Sequence, residues 1–293
     1  RVELNAFKYV VYWEIQEVQD NSGIYAKLHS HLQEAGTPNL VRSLKRLAYE
    51  DMLNTCRDIL AIDLIRYLLA NWQAGKSGFS QAFEPELKSR LESELSDLAT
   101  YLELTEIDIT EIVMEVCENL QKVLTLKPSA LTEEEQTMLI LSAFLAPLSD
   151  MFRRKFGAEW YHESLLRFEI EDIMQSLPSQ LKPENSSEIA ALGELMNSWQ
   201  NAVPSLAWWN ELLSQPNVNR FLQINRFENK DWFRQEPFEA LLHWMQTLQM
   251  VWFETESERE NWQKFREMLS ELEKKSEFQI EKLRELINEQ WHE

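Results

Sequence analysis

Two Glu-x-x-His pairs, Glu159 with His162 and Glu289 with His292, carry the spacing that sets a carboxylate and an imidazole on one helix face. Paired with two further inward carboxylates, that pattern builds dinuclear metal sites in helical bundles. Glu is so abundant in this chain that such pairs arise by chance. Both histidines are therefore read as surface residues, Glu159 and His162 are kept as the metal candidates, and no cofactor is expected. His29 and His31 lie two positions apart and point to different helix faces, which makes a poor metal pair. His243, between Leu242 and Trp244, is read as a hydrogen-bonded, partly buried histidine in preference to a catalytic base.

Asp58, Asp63 and Arg66 fall in the most apolar helical pattern of the chain, around residues 59–69, where an unpaired charge would be costly. Asp63 and Arg66, at i and i+3, can reach each other, so the expectation is a buried ion pair fixing helix register. The alternative is a carboxylate in a pocket. Residues 70–77, Ala-Asn-Trp-Gln-Ala-Gly-Lys-Ser, match a relaxed phosphate-binding loop. That loop needs a strand before it and a helix N-terminus after it, and here a helix precedes it, so Gly75, Lys76 and Ser77 are read as a loop at a helix C-terminus. No Asp-Asp-x-x-Asp cluster, Gly-x-Ser-x-Gly elbow or Cys/His constellation occurs. Of the 11 tryptophans, 8 lie between Trp199 and Trp291, whereas all 7 tyrosines lie at or before Tyr161, so the two halves have differently built cores. Indole faces can stack on sugar rings, but aromatic sets at helical spacing are more often core. Trp208 and Trp209 are adjacent, and one of them is expected to be exposed or in an interface. Trp208, Trp209, Arg226, Trp232, His243 and Trp244 together form the candidate ligand-binding set.

Holding these residues in place requires few and long elements, because only 6 glycines occur in 293 residues and turn chemistry is scarce. The expectation is an all-α, bundle-like fold with no sheet beyond, at most, a short strand pair near the N-terminus, where a helix is the favoured reading. The periodicity predicts helices over about 3–20 and 25–35, then one long, central, most buried helix over 39–73. A loop over 74–84 and helices over 85–103 and 106–126 follow. A capping box at Thr132–Glu135 opens a further helix, interrupted or bent near Pro147, and another spans 159–177. Two prolines and a polar cluster mark residues 178–187 as a linker. That divides a domain over 1–177 from a Trp-rich subdomain over 188–293, which ends in one long helix over 257–291. No repeat of 20–50 residues is evident.

The chain carries 49 acidic and 29 basic residues, a formal charge of −20, and a pI near 4.8, which disfavours nucleic acid and anionic lipid as partners. Cys56 and Cys117 sit in apolar helical patterns and read as reduced core thiols, which fits a cytoplasmic protein. Nothing reads as a membrane span or a signal peptide. The chain opens without Met and is apolar-periodic from Leu4, and reads as a piece of a longer polypeptide or a processed product.

Residues 218–242 contain Asn225-Arg226-Phe227, then Trp232-Phe233, then Glu236-x-Phe238-Glu239-x-Leu241-Leu242. This stretch resembles helical regions that accompany large bacterial proteins of the alpha-amylase superfamily. The chain lacks the alternating strands and helices of that family's barrel, so no catalytic Asp or Glu is carried over. The resemblance implies a helical accessory module, with sugar chemistry elsewhere in a parent chain or absent. The leading reading is thus a non-catalytic accessory or protein-interaction domain, its partner another protein or other domains of its parent. The alternatives are a binding module for an apolar or sugar-like ligand, or a metal-dependent helical enzyme.

Overall fold

Asp20 opens the described helical structure by accepting the Ala26 backbone N–H on its side chain at 2.9 Å, which starts α1 (Ile24–Leu32). The computed structural model describes residues 17–33, 36–37, 39–75, 83–157, 191, 193–195, 206–252 and 256–290. Of the described residues 79% are helical, as the composition and periodicity require. The chain divides into two compact units, Arg1–Glu50 and Asp51–Glu293. The first holds α1 and α2 (Leu40–Ala48), which pack together. Asn39 caps α2, accepting the Arg42 N–H at 2.9 Å.

The long helix expected over 39–73 is instead three: α2, α3 (Glu50–Ile59) and α4 (Ile62–Gln73). Tyr49, at φ −106° and ψ 16°, and Ala61, at ψ 129°, break it. The break at Ala61 re-aims the apolar face between α3 and α4. α3 buries Met52, Leu53, Cys56 and Ile59, while α4 buries Leu64, Ile65, Leu68, Leu69 and Trp72. Continuing straight, an all-round apolar helix would have left part of that surface in water.

α5 (Phe83–Tyr101) buries Leu87, Leu91, Leu95 and Leu98, a row at spacings of four and three that packs with α6 (Ile109–Thr125). Asp108 caps α6, accepting the Thr110 and Glu111 N–H groups at 3.0 and 3.2 Å. The central, most buried helix is α7 (Glu133–Phe156), inside almost continuously from Glu135 to Phe152. It runs unbroken through Pro147, where an interruption was expected, and packs on α4 and α6. The Trp72 indole N–H donates to the Leu126 carbonyl at 2.9 Å and locks α4 to the end of α6. Both cysteines are buried.

Residues 191 and 193–195 are helical, followed by α8 (Leu206–Ser214), α9 (Pro216–Phe221), α10 (Gln235–Trp252), α11 (Glu256–Lys275) and α12 (Ile280–Gln290). The single helix expected over 257–291 is split. Ser276 donates its hydroxyl to the Glu273 carbonyl, Glu277 and Phe278 take φ of 56° and 63°, and α12 packs back on α11. Between α9 and α10 lies a sheet the periodicity did not announce: β1 (Asn225–Phe227) pairs antiparallel with β2 (Lys230–Trp232). Its turn residues Glu228 and Asn229 both have positive φ, as a two-residue hairpin requires. Residues 1–16, where a helix was favoured over a short strand pair, lie outside the described residues, and residues 17–20, expected to end that helix, are not helical. The helix over 159–177 and the linker over 178–187 also lie outside the described residues. α10 packs on α7 and α6, so helices from either side of that linker belong to one compact unit.

An aromatic cluster binds the second half. Trp209 meets Phe238 and Phe265 edge-on at 6.0 and 6.4 Å, and Phe233 lies 5.1 Å from Phe238. The Phe233 N–H donates to the Phe278 carbonyl at 2.9 Å, seating the hairpin on the α11–α12 joint.

Candidate functional site

The capping box at the start of α7 holds the described residues' most chemically suggestive pair. Thr132 Oγ1 accepts the Glu135 N–H at 3.2 Å, and Glu135 Oε2 accepts the Thr132 N–H at 2.6 Å. This leaves Oε1 facing α10, where it meets His243 Nε2 at 2.7 Å and accepts the Thr247 hydroxyl at 3.1 Å. His243 and Thr247, at i and i+4, share one helix face. Burial pushes the Glu135 carboxyl up. The Thr132 amide and hydroxyl, the Thr247 hydroxyl and His243 outweigh it and hold the group below the usual carboxylate range.

A shallow cavity of about 420 Å³ opens beside this pair, lined among others by Phe221, Arg234, Glu236 and Trp244. Arg234 is already engaged there, donating to Gln223 Oε1 at 3.0 Å and pairing with Glu236 at 3.3 Å. The carboxylate orients the imidazole much as a catalytic base is oriented. Here the same carboxylate also closes a helix cap and joins α7 to α10, a fastening role the capping-box sequence alone does not show. His243 was expected to be hydrogen-bonded and partly buried; its side chain is hydrogen-bonded and 55% exposed.

The other sequence-derived candidates scatter. Trp208 and Trp209 are both buried, at 7% and 0% exposure, so neither is the exposed member expected of an adjacent pair. Contacts from α9, α10, α11 and α12 surround α8 closely enough to cover both faces. Trp244 is also buried, and a covered indole face offers no stacking platform. Trp232 sits half-buried on β2, its indole N–H donating to the Phe227 carbonyl at 3.3 Å. Arg226 projects from β1 toward Asp231, at 4.0 Å.

Asp63 and Arg66 do pair, at 3.6 Å, but their side chains are 91% and 48% exposed. The expected buried pair is a surface pair, because the α3–α4 break turns this face of the helix outward. Asp58 is exposed as well. α4 ends at Gln73, and the Gly75 N–H donates back to the Trp72 carbonyl at 2.9 Å with Gly75 at φ 73°. The segment up to Gly75 is thus a helix C-terminus, while Lys76 and Ser77 lie outside the described residues. Glu159, His162 and His292 lie outside them too. Among the described residues no group of three or more His, Cys, Asp or Glu side chains could hold a metal ion. Among them, too, no helix is long and apolar enough to cross a membrane. Comparison of the chain with protein-family models, curated proteins and solved structures gave no match.

Proposed function

We propose that this chain is a non-catalytic helical accessory module that docks another domain of its parent protein or a separate protein partner. The observation that carries this reading is the state of Glu135. Both of its oxygens are committed to Thr132, Thr247 and His243, so the pair most like an acid–base pair serves to fasten α7 to α10. Proton transfer from His243 to that carboxylate would loosen a helix cap. The exposed hairpin residues Arg226 and Phe227, at 72% side-chain and 63% residue exposure, offer a face for a protein partner. The formal charge of −20 argues against nucleic acid. Two cysteines buried in the helical core, Cys56 and Cys117, suit a reducing compartment, which supports a cytoplasmic placement. The resemblance of residues 218–242 to regions that accompany alpha-amylase-superfamily proteins suits a carbohydrate-active parent, although residues 225–232 form a hairpin and not a helix.

The purified chain, incubated with aryl glycosides and with soluble α-glucan, is expected to release no product. Product release that disappears in His243→Ala, with the melting temperature retained, would overturn this reading.

A further inference from the structure

The sequence over 257–291 reads as one helix, yet the chain turns after Lys275. Glu277 and Phe278 make the turn at φ of 56° and 63°, a left-handed pair without glycine that costs backbone energy at each position. A short set of bonds closes the joint. The Ser276 N–H donates to the Leu272 carbonyl at 2.8 Å, and its hydroxyl donates to the Glu273 carbonyl at 2.6 Å. The Gln279 N–H returns to the Ser276 carbonyl at 3.1 Å. The hairpin hangs on the same joint: the Phe233 N–H donates to the Phe278 carbonyl at 2.9 Å, and Trp232 forms a β-bridge with Gln279.

At the base of this joint the fold seals a carboxyl group. Glu273 is 1% exposed, and neither of its carboxylate oxygens has a hydrogen-bond partner among the described residues. Burial, then Glu239 of α10, oppose its ionised form, while Lys274, its neighbour on α11, favours it. The cations of the other packed elements are engaged elsewhere. Lys282 of α12 pairs with Glu277 at 3.0 Å, Arg284 donates to the Leu213 carbonyl at 3.0 Å, and Lys230 of β2 acts on Glu277. A buried carboxylate without donors is costly, and water can supply them. To reach water, Glu273 must unwind the last turn of α11. That parts Ser276 from Leu272 and Glu273, and with it frees the Phe278 carbonyl that holds the hairpin.

We propose that the α11–α12 joint is a proton-operated latch: with Glu273 protonated it holds α12 and the hairpin in place, and with Glu273 ionised its last helical turn opens. The sign follows from the two states of the joint. In the open joint the carboxyl has its ordinary value of 4.5, whereas in the closed joint it stands at about 7. Opening therefore becomes easier by up to about tenfold per pH unit between those values and levels off on either side.

The test is hydrogen exchange of the 293-residue chain at pH 5 and pH 7, read by mass spectrometry and corrected for the intrinsic exchange rate at each pH. Protection over 232–234 and 276–283 is expected to fall at least about tenfold from pH 5 to pH 7, while α6 keeps its protection within about threefold. In Glu273→Gln, which keeps the shape of the side chain and cannot ionise, the fall over those segments is expected to be less than about threefold. Should that variant fail to fold, Glu239→Gln decides the matter. Glu239 is exposed, and removing its charge should narrow the fall. No fall in the unaltered chain, an equal fall in α6, or a fall left unchanged by the substitution would overturn the latch. The readout is amide exchange and not partner binding, so its failure leaves the accessory reading standing.

Discussion

At the residue scale, two buried glutamates respond to pH with opposite sign. Glu273, on α11, is 1% exposed, and neither carboxylate oxygen has a hydrogen-bond partner among the described residues. Burial, reinforced by Glu239 and opposed by Lys274, raises its pKa to about 7. A raised carboxylate pKa means that the folded chain holds this proton more tightly than the unfolded one. The contribution of Glu273 is therefore most favourable below its ordinary value of 4.5 and is lost as pH rises through about 7. Glu273→Met is expected to raise stability by about 1–3 kcal/mol at pH 8 and to bring no gain at pH 4, as urea unfolding at the two pH values would show. Equal effects at both would refute the assignment. Glu135 runs the other way. Its depressed pKa makes its contribution present above the unfolded value and lost as pH falls through the folded one. At neutral pH Glu135→Ala should cost about 1.5–3 kcal/mol. A double-mutant cycle with His243→Ala should give a coupling of at least about 0.5 kcal/mol, and a zero coupling would mean that the 2.7 Å contact contributes nothing in solution.

At the element scale, the kinked path of α3 and α4 decides which side chains matter. Leu68 is 2% exposed, and Leu68→Ala should cost about 2–5 kcal/mol. Ile62, at the first turn after the break, is only half-buried and should cost distinctly less. Asp63→Ala should change stability by less than about 1 kcal/mol, since the exposed Asp63–Arg66 pair is screened by water. A larger loss at Asp63 than at Leu68 in thermal unfolding would restore the unbroken buried helix. The hairpin gives a further case. Glu228 sits at φ 50°, where a side chain other than Asn or Gly is strained. Glu228→Gly should stabilise by about 0.5–1 kcal/mol if the tip keeps this turn, and a loss of stability would argue against it.

At the scale of the whole molecule, 49 acidic residues face 29 basic ones, and the repulsion is unevenly placed. Glu115 shows it: burial and then Asp150, Glu111 and Glu118 raise its carboxyl above the ordinary value. Raising the salt concentration from about 0.01 M to about 1 M shortens the screening length from about 30 Å to about 3 Å. The melting temperature should therefore rise across that range, because net self-repulsion is relieved more than the exposed ion pairs are weakened. A falling melting temperature would show that attractive pairs dominate.

The helical class, the Thr132–Glu135 cap, the Asn39 and Asp108 helix starts and the α5–α6 rows follow from local rules. A capping side chain bonds an amide three residues away, and an apolar stripe recurs every 3.6 residues. Scarce glycine said that elements would be long, yet it could not place their ends. The breaks at Tyr49, Ala61 and Ser276 occur within sequences of good helix formers, where packing of the next segment outweighs propensities of a few tenths of a kcal/mol. For the same reason α7, and not the segment over 39–73, became the centre: its polar Gln136, Thr137, Ser142 and Ser149 look amphipathic in sequence. Each finds a hydrogen-bond partner in the fold that makes its burial tolerable. The Glu135–His243 contact spans 108 positions, and Glu239 of α10 acts on Glu273 of α11 at a spacing that carries no motif. Such pairings depend on how helices cross, which tertiary structure alone decides.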